Sequence, residues 1–262
     1  MRKVTSKDGT AIAFDRSGTG PAVILVGGAS QLRMGNAQLA DLLSKDLTVF
    51  NYDRRGRGDS GDTQPYAAER EIEDIKALID EAGGSASLYG TSSGAVLALK
   101  AAASGLKVSK LALWEPNFLV DNSRPALPTD YVAQLNELVA AGRRGDAFEL
   151  FMTAGVGMPA ELVTPMRTMP MWPAMEAVAH TLAYDGAIVA DTLNGKPVRA
   201  EQWTTVTMPT MVMDGGSIPW LSAGAEALAS VLPNAQRRTL EGQTHDVQVE
   251  VIAPAIVEFL KG

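Results

Sequence analysis

The chain has 262 residues, a net charge of −7, 46% hydrophobic and 20% charged residues, an ordinary balance for a globular α/β protein with a large core. The acidic balance and the lack of any basic block argue against nucleic acid or an anionic membrane as partner. There is no cysteine, which excludes disulfides, thiolate nucleophiles and cysteine-based metal sites.

The N-terminal "KVTSKDGTAIAFDRSG" alternates in polarity around a Lys-Asp-Gly-Thr turn, so it reads as an antiparallel hairpin at a sheet edge. It lacks the apolar core of a secretion signal, and no apolar run reaches membrane-spanning length, so a cytosolic protein is expected. "AVILVGG" (22–28), "LTVFNYD" (47–53), "ASLYG" (86–90), "KLALWEP" (110–116), "TMVMDGG" (210–216) and "RRTLEG" (237–242) read as strands. Several are apolar on consecutive positions, as strands covered on both faces should be. Helical patterns follow them at about 34–45, 66–82, 92–104, 221–231 and 248–261. The alternation predicts a mostly parallel sheet of about eight strands with flanking helices.

That rhythm stops between 117 and 205. Half of the 14 prolines fall from Pro116 to Pro173, and methionines crowd the stretch from Met152 to Met175. We read 1–116 and 206–262 as one core and 117–205 as a helical cap inserted in it. Met152, Met158, Met166, Met169, Met171, Trp172 and Met175 must partly pack the cap on the core. They also suit the roof of an adaptable apolar pocket. Trp203 and Trp220 are further candidates for its rim.

Gly90-Thr91-Ser92-Ser93-Gly94 fits the Gly-x-Ser-x-Gly nucleophile elbow in one register only, with Ser92 at the centre. A strained strand-to-helix turn needs small neighbours so that strand and helix can approach, and "AVLALKAAASG" follows. Ser93 then offers a backbone N–H at a helix N-terminus, where an oxyanion would form, so its hydroxyl has no assigned task. The pentapeptide arises often by chance; its place between a strand and a helix is what raises its weight.

A serine hydroxyl needs a base, and histidine serves near neutral pH. The candidates are His180 and His245. His245, in "EGQTHDVQVE" before the last helix, is favoured; His180, in the cap, reads as a helix residue or a substrate contact. Two separate histidines give nothing like a zinc spacing, so no metal is expected. No dinucleotide fingerprint follows the first strand, and no cofactor is expected.

"ILVGGAS", "YDRRGRGDSG", the Ser92 elbow, the inserted cap and "GQTHD" together resemble the α/β-hydrolase fold family over essentially the full chain. The resemblance implies a Ser–acid–His triad in that chain order, which Ser92 and His245 satisfy. It also implies a second oxyanion donor after Gly27-Gly28, the N–H of Ala29, with Gly27 where a histidine is usual. Gly28 and Ser30 would border the substrate, with Met152, Met171, Trp172, Met175 and His180. The segment holding Arg54, Arg55 and Arg57 is structural in the family, its arginines paired with carboxylates or backbone. It lacks the spacing of a phosphate-binding loop.

The acid is where the chain departs from the family pattern. Ser217 and Ile218 stand where an aspartate is usual. Two carboxylates remain open: Glu115, directly after the preceding strand, and Asp214, at the end of "TMVMD". A branch that includes the zearalenone lactonases places its acid at the first of these, and Glu115 is preferred. The expected activity is cofactor-free hydrolysis of an apolar ester or lactone through an acyl-enzyme. The alternatives are a lyase, for which the cap offers only Lys196 as a cationic lysine, a perhydrolase on the same fold, or a non-catalytic ligand receptor.

Overall fold

The computed structural model describes residues 1–262. The chain opens with β1 (Arg2–Thr5), β2 (Ala11–Ser17) and β3 (Ala22–Val26), then α1 (Ala37–Leu43), β4 (Thr48–Tyr52) and α2 (Ala68–Glu81). β5 (Ala86–Thr91), α3 (Ser93–Ala103) and β6 (Val108–Trp114) complete the first half. The remaining strands, β7 (residues 210–216) and β8 (residues 235–243), come after a long helical stretch.

All eight strands form one sheet in the order β1-β2-β4-β3-β5-β6-β7-β8. The predicted N-terminal hairpin is its antiparallel edge: β1 pairs β2, and β2 pairs β4, both antiparallel. From β4 to β8 every pairing is parallel. Strand boundaries lie within a few residues of the sequence reading, because the apolar runs are the buried runs. In β3, Val23 and Leu25 pack with α1 residues on one face, while Ile24 and Val26 join the larger cluster on the other. Each fully buried large aliphatic side chain contributes about 1.5–3 kcal/mol. The two layers therefore make the sheet a rigid base for whatever its strand ends carry.

Residues 115–209 contain no strand. They hold α4 (Tyr131–Ala140), α5 (Arg144–Leu150), a π-helical turn (Phe151–Val156), α6 (Ala160–Val163), α7 (Trp172–Val178) and α8 (Leu182–Val189). Tyr131, Leu135, Phe148, Trp172, Leu182 and Tyr184 form a separate apolar cluster within this stretch. α9 (Pro219–Val231) follows β7, and α10 (Val249–Lys261) closes the chain after β8. No helix is long and apolar enough to cross a membrane.

Candidate active site

The sheet delivers the chemistry at the carboxyl ends of β3, β5, β6 and β8, as parallel sheets do. Ser92 lies between β5 and α3 with φ 56° and ψ −125°. Its glycine neighbours are sterically required. A Cβ on Gly90 would come within 2.6 Å of the Gly94 carbonyl oxygen, and one on Gly94 within 2.3 Å of the Val26 carbonyl oxygen. The elbow turns this tightly because α3 packs directly on the strands.

Three residues other than glycine have positive φ: Ser30, Ser92 and Glu115. Ser30 and Ser92 border one cavity, and Glu115 bonds a histidine that borders it too. Strain of this kind persists only where surrounding structure enforces it. It marks one place in the molecule.

Glu115 is fully buried. Its Oε2 lies 2.7 Å from His245 Nδ1, and its Oε1 accepts the Gly215 N–H at 3.1 Å. The backbone around it is tied as firmly. Ser92 N–H donates to the Trp114 carbonyl, Glu115 N–H to the Met213 carbonyl, and Trp114 Nε1 to the His245 carbonyl at 3.0 Å. The end of β6 thus holds both the serine turn and the histidine loop. With Nδ1 engaged, His245 has Nε2 left to work with.

Asp214, also fully buried, points elsewhere. Its carboxylate accepts Arg237 Nε at 2.8 Å, the Ser222 hydroxyl at 2.8 Å and the Gly216 N–H at 3.1 Å. Burial pushes its carboxyl up, but the Arg237 and Ser222 hydrogen bonds outweigh it and hold the group below its ordinary range. Asp214 makes no hydrogen bond or ion pair with His245.

Ser92 and His245 line the same cavity of about 600 Å³, although no hydrogen bond joins them. Ser92 Oγ donates instead to Asn117 Oδ1 at 3.0 Å. Gly28, Ala29 and Ser93 border the cavity beside Ser92, and neither the Ala29 nor the Ser93 N–H has a backbone acceptor. The Ser93 hydroxyl, given no task by the sequence, donates to Asp185 Oδ1 at 2.8 Å.

The cavity's apolar walls differ from the expected ones. Gly28, Ser30 and Met175 line it, as do Leu127, Tyr131, Phe151, Val156, Val189 and Trp220. Met152, Met171, Trp172 and His180 do not. Trp172 is buried in the apolar cluster of the helical stretch, with Nε1 donating to Glu176, and Met152 packs on that cluster. Met171 faces outward. His180 stacks edge-on to Tyr184, outside the cavity lining, and burial with nearby Arg144 lowers its pKa. Trp203 is buried in the main core against Phe118. The reason is local: each of these helices is short and carries apolar residues on more than one side, so sequence does not say which side faces the cavity.

Among the polar residues of the cavity without a role in the sequence reading, Asn117 and Asp185 bond the two serines of the elbow. Asn117 carries no distinguishing pattern. Asp185 does: a lone carboxylate in the apolar run "LAYDGAIV" requires a buried partner. No group of three or more histidine, aspartate or glutamate side chains is arranged to hold a metal ion.

A model of the alpha/beta hydrolase family matches residues 23–256. The chain is 55% identical to an alpha/beta hydrolase of known structure from Sphaerobacter thermophilus, over 99% of this chain and 100% of that one, with a TM-score of 0.91. A thermophilic esterase from Thermogutta terrifontis is 22% identical over 99% and 97% of the two chains, with a TM-score of 0.73. A bromoperoxidase from Bacillus anthracis is 18% identical over 100% of both, with a TM-score of 0.71. These two similarities speak to the fold. No curated protein matches the chain significantly.

Proposed function

The chain belongs to the alpha/beta hydrolase family, and from that premise we propose that it is a cofactor-free serine hydrolase of small, uncharged carboxylic esters or lactones. One observation carries the reading: His245 is held through Nδ1 by buried Glu115 and opens into the cavity where strained Ser92 sits.

Ser92 Oγ exchanges its Asn117 acceptor for His245 Nε2, attacks the substrate carbonyl and gives up its proton to the imidazole. Glu115 fixes the Nδ1–H tautomer and stabilises the imidazolium. The Ala29 and Ser93 N–H groups receive the oxyanion. His245 then protonates the departing alcohol, and the same imidazole activates water to release the acid. In a lactone, the departing alcohol remains attached to the acyl group. Asp214 has no part in this cycle. The helical stretch 117–205 acts as a cap, and its apolar lining favours an uncharged acyl or alkoxy group.

Treatment with a fluorophosphonate probe, followed by mass spectrometry of the peptide spanning 88–105, tests the reading. An adduct on Ser92, lost in Ser92→Ala together with hydrolysis of p-nitrophenyl butyrate, is the expected result. A protein that hydrolyses the ester with no adduct on that peptide would overturn it.

A further inference from the structure

The segment "YDRRGRGDSG" buries three arginines, and two of them, Arg54 and Arg57, at 1% exposure each, share the carboxylate of Asp185. Their partners come from three places. Arg54 forks onto Glu71 of α2, with Nε and NH2 each 2.7 Å from a carboxylate oxygen, and its NH1 donates to Asp185 of α8 at 2.6 Å. Arg57 donates through NH2 to the other oxygen of Asp185 and through Nε to the Thr181 hydroxyl at 3.0 Å. The third place is the backbone beside Ser92. Arg54 NH1 donates to the Gly27 carbonyl at 3.2 Å, and Arg57 NH1 to the Gly28 carbonyl at 2.6 Å.

The Gly28 carbonyl and the Ala29 N–H belong to one peptide unit. That unit is planar and trans, so its C=O and N–H point in opposite directions. A guanidinium fixed on the carbonyl therefore aims the N–H. The bond is charge-assisted, and it polarises the peptide so that its N–H becomes a stronger donor. On the far side of the same carboxylate, Asp185 Oδ1 accepts the Ser93 hydroxyl at 2.8 Å, which restrains the residue bearing the second N–H. One buried carboxylate from α8 thus touches the supports of both donors.

Building on the acyl-transfer reading above, we infer that Arg57 and Asp185 are positioning residues of the oxyanion hole. They aim the Ala29 and Ser93 N–H groups and make that aim depend on the seating of α8. Donors must lie about 2.7–3.1 Å from the forming oxyanion, so a small misdirection costs rate while ground-state binding is spared.

Charge and positioning make opposite predictions for Asp185→Asn. The substitution removes a negative charge near the oxyanion, which by charge alone would raise kcat. Loosened positioning lowers it. On the full-length protein with p-nitrophenyl butyrate, we expect Asp185→Asn and Arg57→Lys to lower kcat about 10- to 100-fold, less than the 100- to 1,000-fold of deleting a donor outright. KM should stay within about twofold, and affinity for an aryl trifluoromethyl ketone, which forms a tetrahedral oxyanion, should fall by the same factor as kcat. Ser93→Ala keeps the backbone N–H and removes one hydroxyl, so it tests the link should the charged variants not fold; a kcat loss of about three- to tenfold is expected. Unchanged or higher kcat in these variants overturns the inference. So does a rise in KM with trifluoromethyl ketone affinity intact, which would mean that the network only shapes the pocket. Ser92→Ala run in parallel separates the two claims: an active Ser92→Ala removes the acyl-transfer reading itself, whereas an inactive one beside a normal Asp185→Asn removes only the positioning role.

Discussion

The ends of β6 and β7 lie side by side, and each carries a carboxylate with no solvent exposure, Glu115 and Asp214. In sequence both follow an apolar strand and both precede a turn. Their surroundings separate them. Asp214 is surrounded by an arginine, a serine hydroxyl and a backbone N–H. Glu115 sees one backbone N–H and a histidine that opens on the cavity. A buried carboxylate fully satisfied by a cation is a structural element. One whose strongest partner is an imidazole facing a cavity is placed to orient that imidazole, the role we propose for Glu115. The partner, rather than the residue type or its depth, decides the role.

The largest effect that tests this contrast is on turnover. Glu115→Gln keeps an oxygen for the Gly215 N–H but offers His245 an amide, which favours the wrong tautomer. We expect kcat to fall about 1,000- to 10,000-fold, with a melting temperature close to the parent's. Asp214→Asn should show the reverse: kcat/KM within threefold, and a stability loss of about 2 kcal/mol for the charge-assisted bonds. For a chain of this length that is about 4–8 °C in Tm. Steady-state kinetics and thermal melts on both variants decide it. If the two profiles were exchanged, Asp214 would be the acid.

A third effect sharpens the contrast through pH. The Asp214 carboxyl is held below its ordinary value of 3.8. A depressed carboxyl adds stability that is fully present above the unfolded value and is lost as pH falls through the folded one. The Tm gap between the parent and Asp214→Asn should therefore be constant from neutral pH down to about 4 and shrink below 3.8. A gap that ignored acid would mean that the charge of Asp214 contributes nothing.

The same contrast explains what could be read from sequence. The sheet was legible because its inner strands, β3 to β7, are buried on both faces, which leaves consecutive apolar runs. Ser92 was legible because the elbow's constraints are local: Gly90 and Gly94 are required by contacts within a few residues or with the adjoining strand end. His245 followed from scarcity. Glu115 could only be preferred, since its partner is 130 positions away. Asp185 was missed for the same reason: Arg54 and Arg57, read as structural and paired with carboxylates or backbone, meet it across 131 and 128 positions. The pocket walls failed differently. Met152, Met171 and Trp172 sit on short helical turns where composition is uniform, and facing is set by tertiary packing alone.

The smallest effect is the most pointed test of the Asp214 side. Ser222, on α9, donates its hydroxyl to Asp214 Oδ1 at 2.8 Å. Ser222→Ala removes that bond and leaves the carboxylate with Arg237 and the Gly216 N–H. Because the charge keeps its main partner, the cost should be that of one hydrogen bond, about 1 kcal/mol, or about 2–4 °C in Tm. Groups that share a partner are not additive, so Ser222→Ala in the Asp214→Asn background should cost less than in the parent. Hydrolysis of p-nitrophenyl butyrate should be unchanged in the single variant. A fall in kcat there, with Tm barely moved, would mean that the end of β7 feeds the reacting groups after all, and the division of labour between the two strand ends would have to be abandoned.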